Sequence, residues 1–321
     1  MYHTRKRTLI TGGAGFLGSH LAAKLLKKNH HVLCLDNFST GSRQNLEHMI
    51  SHPHFEVICH DICFPFYAEV DEIHNLASPS LPIHHQNDPI QTAKTNFQGS
   101  LNMLGLAKRL GIKILQASTS EIYGDPHCHP QPEHYWGNVN PIGERSCYDE
   151  GKRCAETLFF DYHRKHKVKI KIARIFNTYG PHMHTSPRCI ISNFITQALQ
   201  EAPLTIYGTG SETHSFCYVD DLVEGLISLM ATEDAITGPF NLGNPKECSI
   251  EEIARQILIL TGTNSKLIYN ELSPHEFQKR CPDISLSIKK LGWQPKIELN
   301  EGLRKTIDYL KKQCNYSPQF V

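Results

Sequence analysis

One stretch near the start, RTLITGGAGFLGSHLAAKLLKKNHHVLCLDN, constrains the fold more than any other part of the chain. Apolar residues lead into Gly12, Gly15 and Gly18, an amphipathic helix follows, and a second apolar strand ends at Asp36. Glycines at these positions allow a tight turn and close approach of the backbone to a ligand, and the helix N-terminus can then face a pyrophosphate. The stretch therefore predicts a dinucleotide site built on a strand, a turn, a helix and a second strand.

Asp36 predicts which dinucleotide binds. It lies eighteen residues after Gly18, where a carboxylate can accept hydrogen bonds from the adenosine ribose hydroxyls. A 2'-phosphate would be repelled there, so NAD is favoured over NADP. The alternative is that Asp36 only begins the turn DNFSTG.

Further apolar runs, FEVICHDI, EIHNLAS and IKILQAST, alternate with helical stretches and show no internal repeat. This alternation predicts an α/β fold with a doubly wound parallel (Rossmann) sheet. Ligands of such sheets bind at the carboxyl ends of the strands, so we expect Asp61, Ala77, Ser78 and residues 118–121 to line one crevice.

The predicted organisation has two parts. Residues 1–181 form the Rossmann domain, to which the chain returns near 216–245. Residues 182–215 and 246–314 form a smaller, discontinuous α+β substrate domain, and residues 315–321 form a tail.

Composition argues against several classes of protein. The 33 Lys and Arg nearly balance the 32 Asp and Glu, so we expect no nucleic-acid or membrane partner. The eleven cysteines are scattered, without a CxxC pair, and no signal peptide is recognisable, which together predict reduced thiols in the cytoplasm. Among the twenty histidines, HCH (127–129) and HMH (182–184) lack the paired spacing of a zinc site, so no metal is expected.

The segment SCYDEGKRCAE holds Tyr148 and Lys152, four residues apart and hence on one helical face. The strand IKILQA ends in STSEIYG, which places Thr119, Ser120 and Glu121 at the same crevice. A tyrosine can remove an alcohol proton as hydride leaves for NAD, a lysine cation can hold the ribose and lower the tyrosine pKa, and a hydroxyl can polarise the carbonyl formed. The set predicts reversible alcohol oxidation, with an ordinary surface pair as the alternative.

With these motifs the chain resembles the extended short-chain dehydrogenases/reductases. The stretches YWGNVNPIGERSCYDEGKRCAE, ARIFNTYGP, SNFITQAL and KRCPDI resemble, more closely, the UDP-glucuronic acid decarboxylases, also called UDP-xylose synthases. The similarity runs from about Arg7 to about Lys312. It implies that C4 of a UDP-hexuronic acid is oxidised by NAD, that carbon dioxide leaves the resulting β-keto acid through an enolate, and that the hydride returns to C4.

The resemblance also implies catalytic roles. Tyr148 is the expected acid/base at C4, Lys152 its electrostatic partner, and Thr119 a hydrogen-bonding group near O4. Ser120 and Glu121 are expected near the sugar carboxylate and C5. We expect Glu121, as a carboxylate placed against a carboxylate, to raise one pKa and favour the loss of carbon dioxide.

Two further sets follow from the resemblance. Arg280 is expected near the sugar and diphosphate, unless it is a surface helix arginine. The cofactor residues implied are Gly12, Gly15, Phe16, Leu17, Gly18, Asp36, Asn37, Asp61, Ile62, Ala77, Ser78, Lys94, Tyr148, Lys152, Thr178, His184 and Arg188. Those implied for the nucleotide sugar are Phe66, Tyr67, Asn177, Ser192, Asn193, His214 and Arg280.

Two positions depart from the family pattern. His182 stands in YGPHM where YGPRM is usual, and His214 stands in GSETHSF where an arginine would approach the UDP phosphates. A neutral imidazole offers one donor instead of a cationic fork. We therefore expect weaker substrate binding, which improves below about pH 6.5 as His214 becomes charged, or a modified nucleotide sugar.

Alternatives stay open at this stage. One is another nucleotide-sugar enzyme, a 4,6-dehydratase or a 4-epimerase, although the YDEGK context and Arg280 favour decarboxylation. The other is a catalytically silent NAD-binding protein, which the intact Tyr148, Lys152, Thr119 and Glu121 disfavour. The resemblance also implies a homodimer joined through two long helices.

Overall fold

The computed structural model describes residues 5–186, 189–271 and 279–316. A seven-stranded sheet forms its centre, in the order β11-β6-β5-β4-β1-β2-β3, and all of its neighbouring strands pair in parallel. This confirms the predicted doubly wound parallel sheet. The strands are β1 (Arg7–Thr11), β2 (His31–Asp36), β3 (Phe55–Cys59), β4 (Glu72–Asn75), β5 (Lys113–Thr119), β6 (Lys169–Ile175), β7 (Thr178–Tyr179), β8 (Leu204–Tyr207), β9 (Thr213–Ser215), β10 (Cys217–Tyr218), β11 (Phe240–Leu242), β12 (Glu247–Ser249) and β13 (Leu267–Asn270).

Helices cover both faces of this sheet, because its strands are apolar on both sides. In β1, Leu9 belongs to the apolar cluster with Met103 and Phe159, while its neighbour Ile10 belongs to the opposite cluster with Leu21 and Leu25. The helices are α1 (Phe16–Lys27), α2 (Pro82–Asn87), α3 (Pro89–Lys94), α4 (Ser100–Leu110), α5 (Ser146–His166), α6 (Ile190–Leu199), α7 (Val219–Ala231), α8 (Ile250–Thr261), α9 (Ser285–Leu291) and α10 (Leu299–Tyr316). Shorter helical turns occur at Arg43–Met49, Thr95–Gly99 and Ser120–Tyr123.

The second half of the chain adds three two-stranded sheets, in which β7 pairs with β10, β8 with β13 and β9 with β12. Helices α6, α8 and α10 pack on one another beside them. Strand β11 returns to the large sheet beside β6, and α7 packs against β5 and β6. Helix α10 extends to Tyr316, two residues into the segment predicted as a tail, and residues 317–321 lie outside the described part.

Within the described ranges, no helix is long and apolar enough to cross a membrane.

Candidate active site

A cleft of about 1930 Å³ opens at the carboxyl ends of the parallel strands. It is larger than the roughly 300–1,000 Å³ of a typical small-molecule pocket, as a site for a dinucleotide and a second ligand must be. The predicted residues that line it are Gly12, Gly15, Phe16, Leu17, Gly18, Asp36, Asn37, Asp61, Ile62, Ala77, Ser78, Thr119, Ser120, Glu121, Tyr148, Lys152, Asn177, Thr178, His184, Asn193, His214 and Arg280.

The glycine turn has the shape that a pyrophosphate requires. Gly12 has a φ of +67°, and a Cβ there would lie 2.8 Å from the backbone of Ala77. A Cβ on Gly18 would collide with the Gly12 carbonyl. Among the described residues no side chain caps the N-terminus of α1 at Gly15, so its N–H groups can bind an anion in the cleft.

Asp36 is fixed at the end of β2. Its Oδ2 accepts from the Ala14 N–H at 2.9 Å, and its Oδ1 accepts from the Phe38 N–H at 2.8 Å. Burial raises the pKa of this carboxyl, and the two backbone N–H groups oppose the shift. Each oxygen keeps a further lone pair for a ribose hydroxyl.

Four predicted binding residues do not line the cleft. Lys94 is exposed at the end of α3, and Tyr67 is 76% exposed with the Arg109 guanidinium over its ring. Phe66 packs against the apolar cluster under the sheet, and Ser192 is buried with its hydroxyl donating to the His184 carbonyl at 2.9 Å. Their predicted contacts with the cofactor and the sugar stay predictions. Arg188 lies outside the described residues.

Tyr148 and Lys152 lie on one face of α5, as their spacing predicts. Both are nearly fully buried, and the Lys152 Nζ lies 5.7 Å from the centre of the Tyr148 ring. That Nζ donates to the Ala117 carbonyl at 2.8 Å. Burial raises the pKa of Tyr148, which a hydrogen bond with Thr119 opposes, and burial lowers the pKa of Lys152 to about 7.

Glu121 is held between two arginines. Its Oε2 lies 2.7 Å from Arg145 and 2.6 Å from Arg280. Burial alone would raise the pKa of Glu121, but the guanidinium groups of Arg280 and Arg145 hold it below its ordinary value. The expectation that Glu121 raises the pKa of a facing sugar carboxylate stays a prediction, while in the structure the two arginines bind Glu121 itself.

The turn that carries Glu121 begins directly after β5. The Glu121 N–H donates to the Thr119 hydroxyl at 3.2 Å, which caps this 3₁₀ turn. Ser120 is buried beside it and lines the cleft. The three residues are thus brought together as predicted, next to Tyr148.

Three residues near Tyr148 were not predicted from the sequence. Arg145 directly precedes α5 and Asp149 follows Tyr148 on it, and their spacing of four residues is a signal that could have placed these two on a common helical face. His85 stacks on the Tyr148 ring, with centroids 4.4 Å apart and planes 17° apart. Its Nε2 lies 2.9 Å from the Pro79 carbonyl, and burial lowers its pKa to about 4.

The two unusual histidines occupy different surroundings. The His182 Nδ1 lies 3.0 Å from the Ser19 hydroxyl, and burial lowers its pKa to about 4. His214 lies on β9 with its ring stacked on Phe216. Burial, and then the Arg280 cation, lower the pKa of His214, so a charge there requires a more acidic pH than the expected 6.5.

One group in the described part of the chain brings three metal-ligating atoms within 4.8 Å, those of His129, Glu247 and Cys281. The His129 Nε2 lies 2.8 Å from Glu247, so the pair is already bonded. Burial raises the pKa of the Cys281 thiol to about 11, which opposes the thiolate that a metal needs. The expectation of no metal stays a prediction.

Comparison with known families places these residues in context. A family model described as GDP-mannose 4,6 dehydratase matches residues 9–306. UDP-glucuronic acid decarboxylase 1 of Xenopus tropicalis is 52% identical over 312 residues, which are 97% of this chain and 74% of that protein. UDP-glucuronic acid decarboxylase 3 of Arabidopsis thaliana is 54% identical over 298 residues, 92% of this chain and 86% of that protein.

Solved structures show the same architecture at lower identity. UDP-glucuronic acid 4-epimerase from Bacillus cereus, in complex with UDP-glucuronic acid and NAD, has a TM-score of 0.84 at 28% identity, over 96% of this chain and 99% of that one. A dTDP-glucose 4,6-dehydratase from Streptomyces venezuelae, with NAD bound, has a TM-score of 0.87 at 25% identity, over 97% and 99%.

Proposed function

The chain belongs to the UDP-glucuronic acid decarboxylases, within the family that the GDP-mannose 4,6 dehydratase model describes, and we propose that it converts UDP-glucuronic acid to UDP-xylose and carbon dioxide. The observation that carries this proposal is Glu121 held between Arg145 and Arg280, beside Tyr148 and Lys152. Two guanidinium groups can bind the carboxylate that the reaction removes.

NAD fits the residues of the cleft. The glycine turn leaves room for a pyrophosphate against α1, and Asp36 is oriented for the adenosine ribose. Bound NAD supplies the hydride acceptor for C4 and, at the end, the hydride donor. The residues proposed to hold it are those of the predicted set that line the cleft.

Tyr148 removes the proton of the C4 hydroxyl and returns one to O4 in the last step. Protonated Lys152 stabilises the tyrosinate, since its cation lies 5.7 Å from the ring. Thr119, which bonds to Tyr148, keeps the phenol oxygen oriented toward O4. His85 restrains the ring from the other side by stacking.

Arg145 and Arg280 orient the sugar carboxylate while Glu121 fixes the arginines. Oxidation at C4 makes that carboxylate part of a β-keto acid, so the C5–carboxyl bond can break with its electrons passing into the ketone as an enolate. His214 also lines the cleft and is proposed to face the UDP phosphates.

Incubating the purified protein with UDP-glucuronic acid, without added reductant, tests the proposal by proton NMR. We expect UDP-xylose and carbon dioxide. The same UDP-sugar with an inverted C4 would instead indicate a 4-epimerase, the activity in the name of one structural neighbour, and would overturn decarboxylation. Release of a UDP-4-keto-pentose would show that the return of hydride is incomplete.

Two further properties, the oligomeric state and the location, are also proposed. Assembly as a homodimer, through the helices near Asn96 and Tyr148, rests on the family resemblance alone. A cytoplasmic location rests on the eleven dispersed cysteines. Size-exclusion chromatography with light scattering tests the first, and fractionation of expressing cells tests the second.

A further inference from the structure

Asp149 is a buried carboxyl group in the cleft that the roles above do not use. It lies next to Tyr148 on α5, only 9% of it is exposed, and it lines the cleft. Arg145, one helical turn before it, and Glu121, on the turn after β5, are its charged neighbours, with Arg280 and Glu150 beyond them.

The hydrogen bonding of Asp149 favours its neutral form. Its Oδ1 is buried and has no hydrogen-bond partner among the described residues. An ionised carboxylate in that position would be costly, since buried charges need partners. Burial, and then the charge of Glu121, raise the pKa of Asp149 to about 7, which also favours the neutral carboxyl. Glu121, by contrast, is ionised and paired with two arginines.

The proposed reaction needs a second acid. When carbon dioxide leaves, the enolate must gain one proton at C5 before hydride returns to C4. The proton of Tyr148 is required at O4, Glu121 carries none, and the two arginines keep theirs. The Lys152 ammonium donates to the Ala117 carbonyl and is already assigned to the stabilisation of Tyr148, so it is not the proton donor to C5.

We propose that Asp149 is the acid that protonates C5, an inference that rests on the proposed decarboxylation. The O–H bond of the carboxyl breaks, a C–H bond forms at C5, and the enolate becomes a 4-ketone. Asp149 is left as a carboxylate and regains its proton from solvent. The overall reaction consumes that one proton and releases one carbon dioxide, so no further reactant is needed.

Turnover in D₂O tests this role through stereochemistry. The parent protein should place a single deuterium at one of the two C5 positions of UDP-xylose, because one fixed acid serves one face. Asp149→Asn should slow turnover by about 10²–10⁴-fold and distribute deuterium over both positions, since water then protonates the enolate. Proton NMR reports both quantities in one experiment.

Matched variants distinguish this role from a loss of activity caused by disruption of the structure. Glu150→Gln removes the neighbouring, more exposed carboxylate and should keep the parental rate and stereochemistry. Asp149→Glu should restore part of both. Asp149→Ala should be slow and should recover with added formate, which supplies a small acid in the vacated space.

Two outcomes would contradict the proposal in different ways. Parental stereochemistry in Asp149→Asn, at a rate within about threefold of the parent, would overturn the role of Asp149 alone. A parent that makes no UDP-xylose would overturn the decarboxylation, and this inference with it. Thermal melting checks folding, and the Asn variant should melt no lower than the parent, because the buried Oδ1 has no hydrogen bond to a described residue that the substitution could remove.

Discussion

Helix α5 carries two buried groups of charged side chains that are built in opposite ways. Near its middle, Glu156 binds Arg174 through two hydrogen bonds of 3.0 and 2.8 Å and accepts from Ser118 at 2.5 Å. The same arginine donates to the Tyr123 hydroxyl at 3.0 Å. One and two turns earlier, Lys152 and Asp149 are buried with fewer partners, and Asp149 Oδ1 has none within the described residues.

This difference in pairing indicates that one group of charged residues on α5 stabilises the fold and the other takes part in the reaction. A fully paired buried network holds β5, β6 and α5 together. The incompletely paired group keeps a lysine and an aspartic acid with pKa values of about 7, where proton transfer is fastest. Substitutions should therefore affect activity in one group and stability in the other.

The largest effect is expected for Tyr148→Phe. Loss of the acid/base should lower turnover of UDP-glucuronic acid by about 10²–10⁴-fold with little change in melting temperature, as NMR and calorimetry would show. Tyr123→Phe is the matched control, because the Tyr123 hydroxyl accepts a hydrogen bond from Arg174 and donates one to Asn241 within the paired network. It should cost about 1–3 kcal/mol of stability and leave kcat within a few-fold. A loss of stability in Tyr148→Phe together with a loss of activity in Tyr123→Phe would contradict the division of the two groups into one for activity and one for stability.

Glu156→Gln should destabilise the protein by about 3–5 kcal/mol, since it leaves Arg174 as a buried charge without its counter-ion. Urea unfolding measures this change. Glu150→Gln, on an exposed pair with Arg153 at 3.5 Å, should cost about 0–1 kcal/mol. Equal losses in the two variants would mean that burial does not distinguish these ion pairs.

Lys152→Met should stabilise the cofactor-free protein while abolishing activity. The folded-state pKa of about 7 lies below the ordinary 10.5, so the unfolded chain binds more protons between these values. The free energy of unfolding of the parent should therefore rise with pH across that window, and the penalty is full below pH 7. Removing the charged group should raise the free energy of unfolding by about 4 kcal/mol near neutral pH.

Lys171→Met provides the control for that substitution. Lys171 is also buried, but its Nζ donates to three oxygens, those of Thr232, Glu233 and Ile236, at 2.8, 2.6 and 2.6 Å. Burial lowers the pKa of Lys171 too, to about 8, but removing its ammonium also leaves three oxygens without their donor, so the same change should lower stability there. Unfolding curves at several pH values compare the two variants, and a loss of stability in both would refute the assignment of Lys152 as an under-paired cation.

The smallest effect is expected for His214→Arg. A cationic fork facing the UDP phosphates should lower KM about tenfold, the low end of a charge-assisted hydrogen bond, with kcat unchanged. Because burial lowers the pKa of His214, the parent's KM should be flat near neutral pH and fall only in acid. His214→Gln is the neutral control, and an unchanged KM in the arginine variant would remove His214 from the phosphate site.

Local patterns account for what the sequence predicted correctly. The glycine turn, Asp36 and the Tyr148–Lys152 spacing each lie within one strand or helix unit, so periodicity and turn chemistry place them. The pairing of Glu121 with Arg145 and Arg280 joins segments far apart in the chain, and no spacing rule connects them. Phe66 and Tyr67 do not line the cleft for a related reason, because the direction of a loop side chain depends on what packs beneath it.

The ion pairs of Glu121 also bear on how molecules enter and leave. The single Glu121 carboxylate offsets one of the two guanidinium charges before any sugar arrives, so a substrate carboxylate is attracted by the remaining positive charge and competes with Glu121 for the two arginines. After the carboxylate has left as carbon dioxide, Glu121 again pairs with both arginines. The pentose product has no carboxylate that could compete with Glu121 for them. The ion pairs of Glu121 with the two arginines thus compete with the substrate carboxylate and favour release of the product.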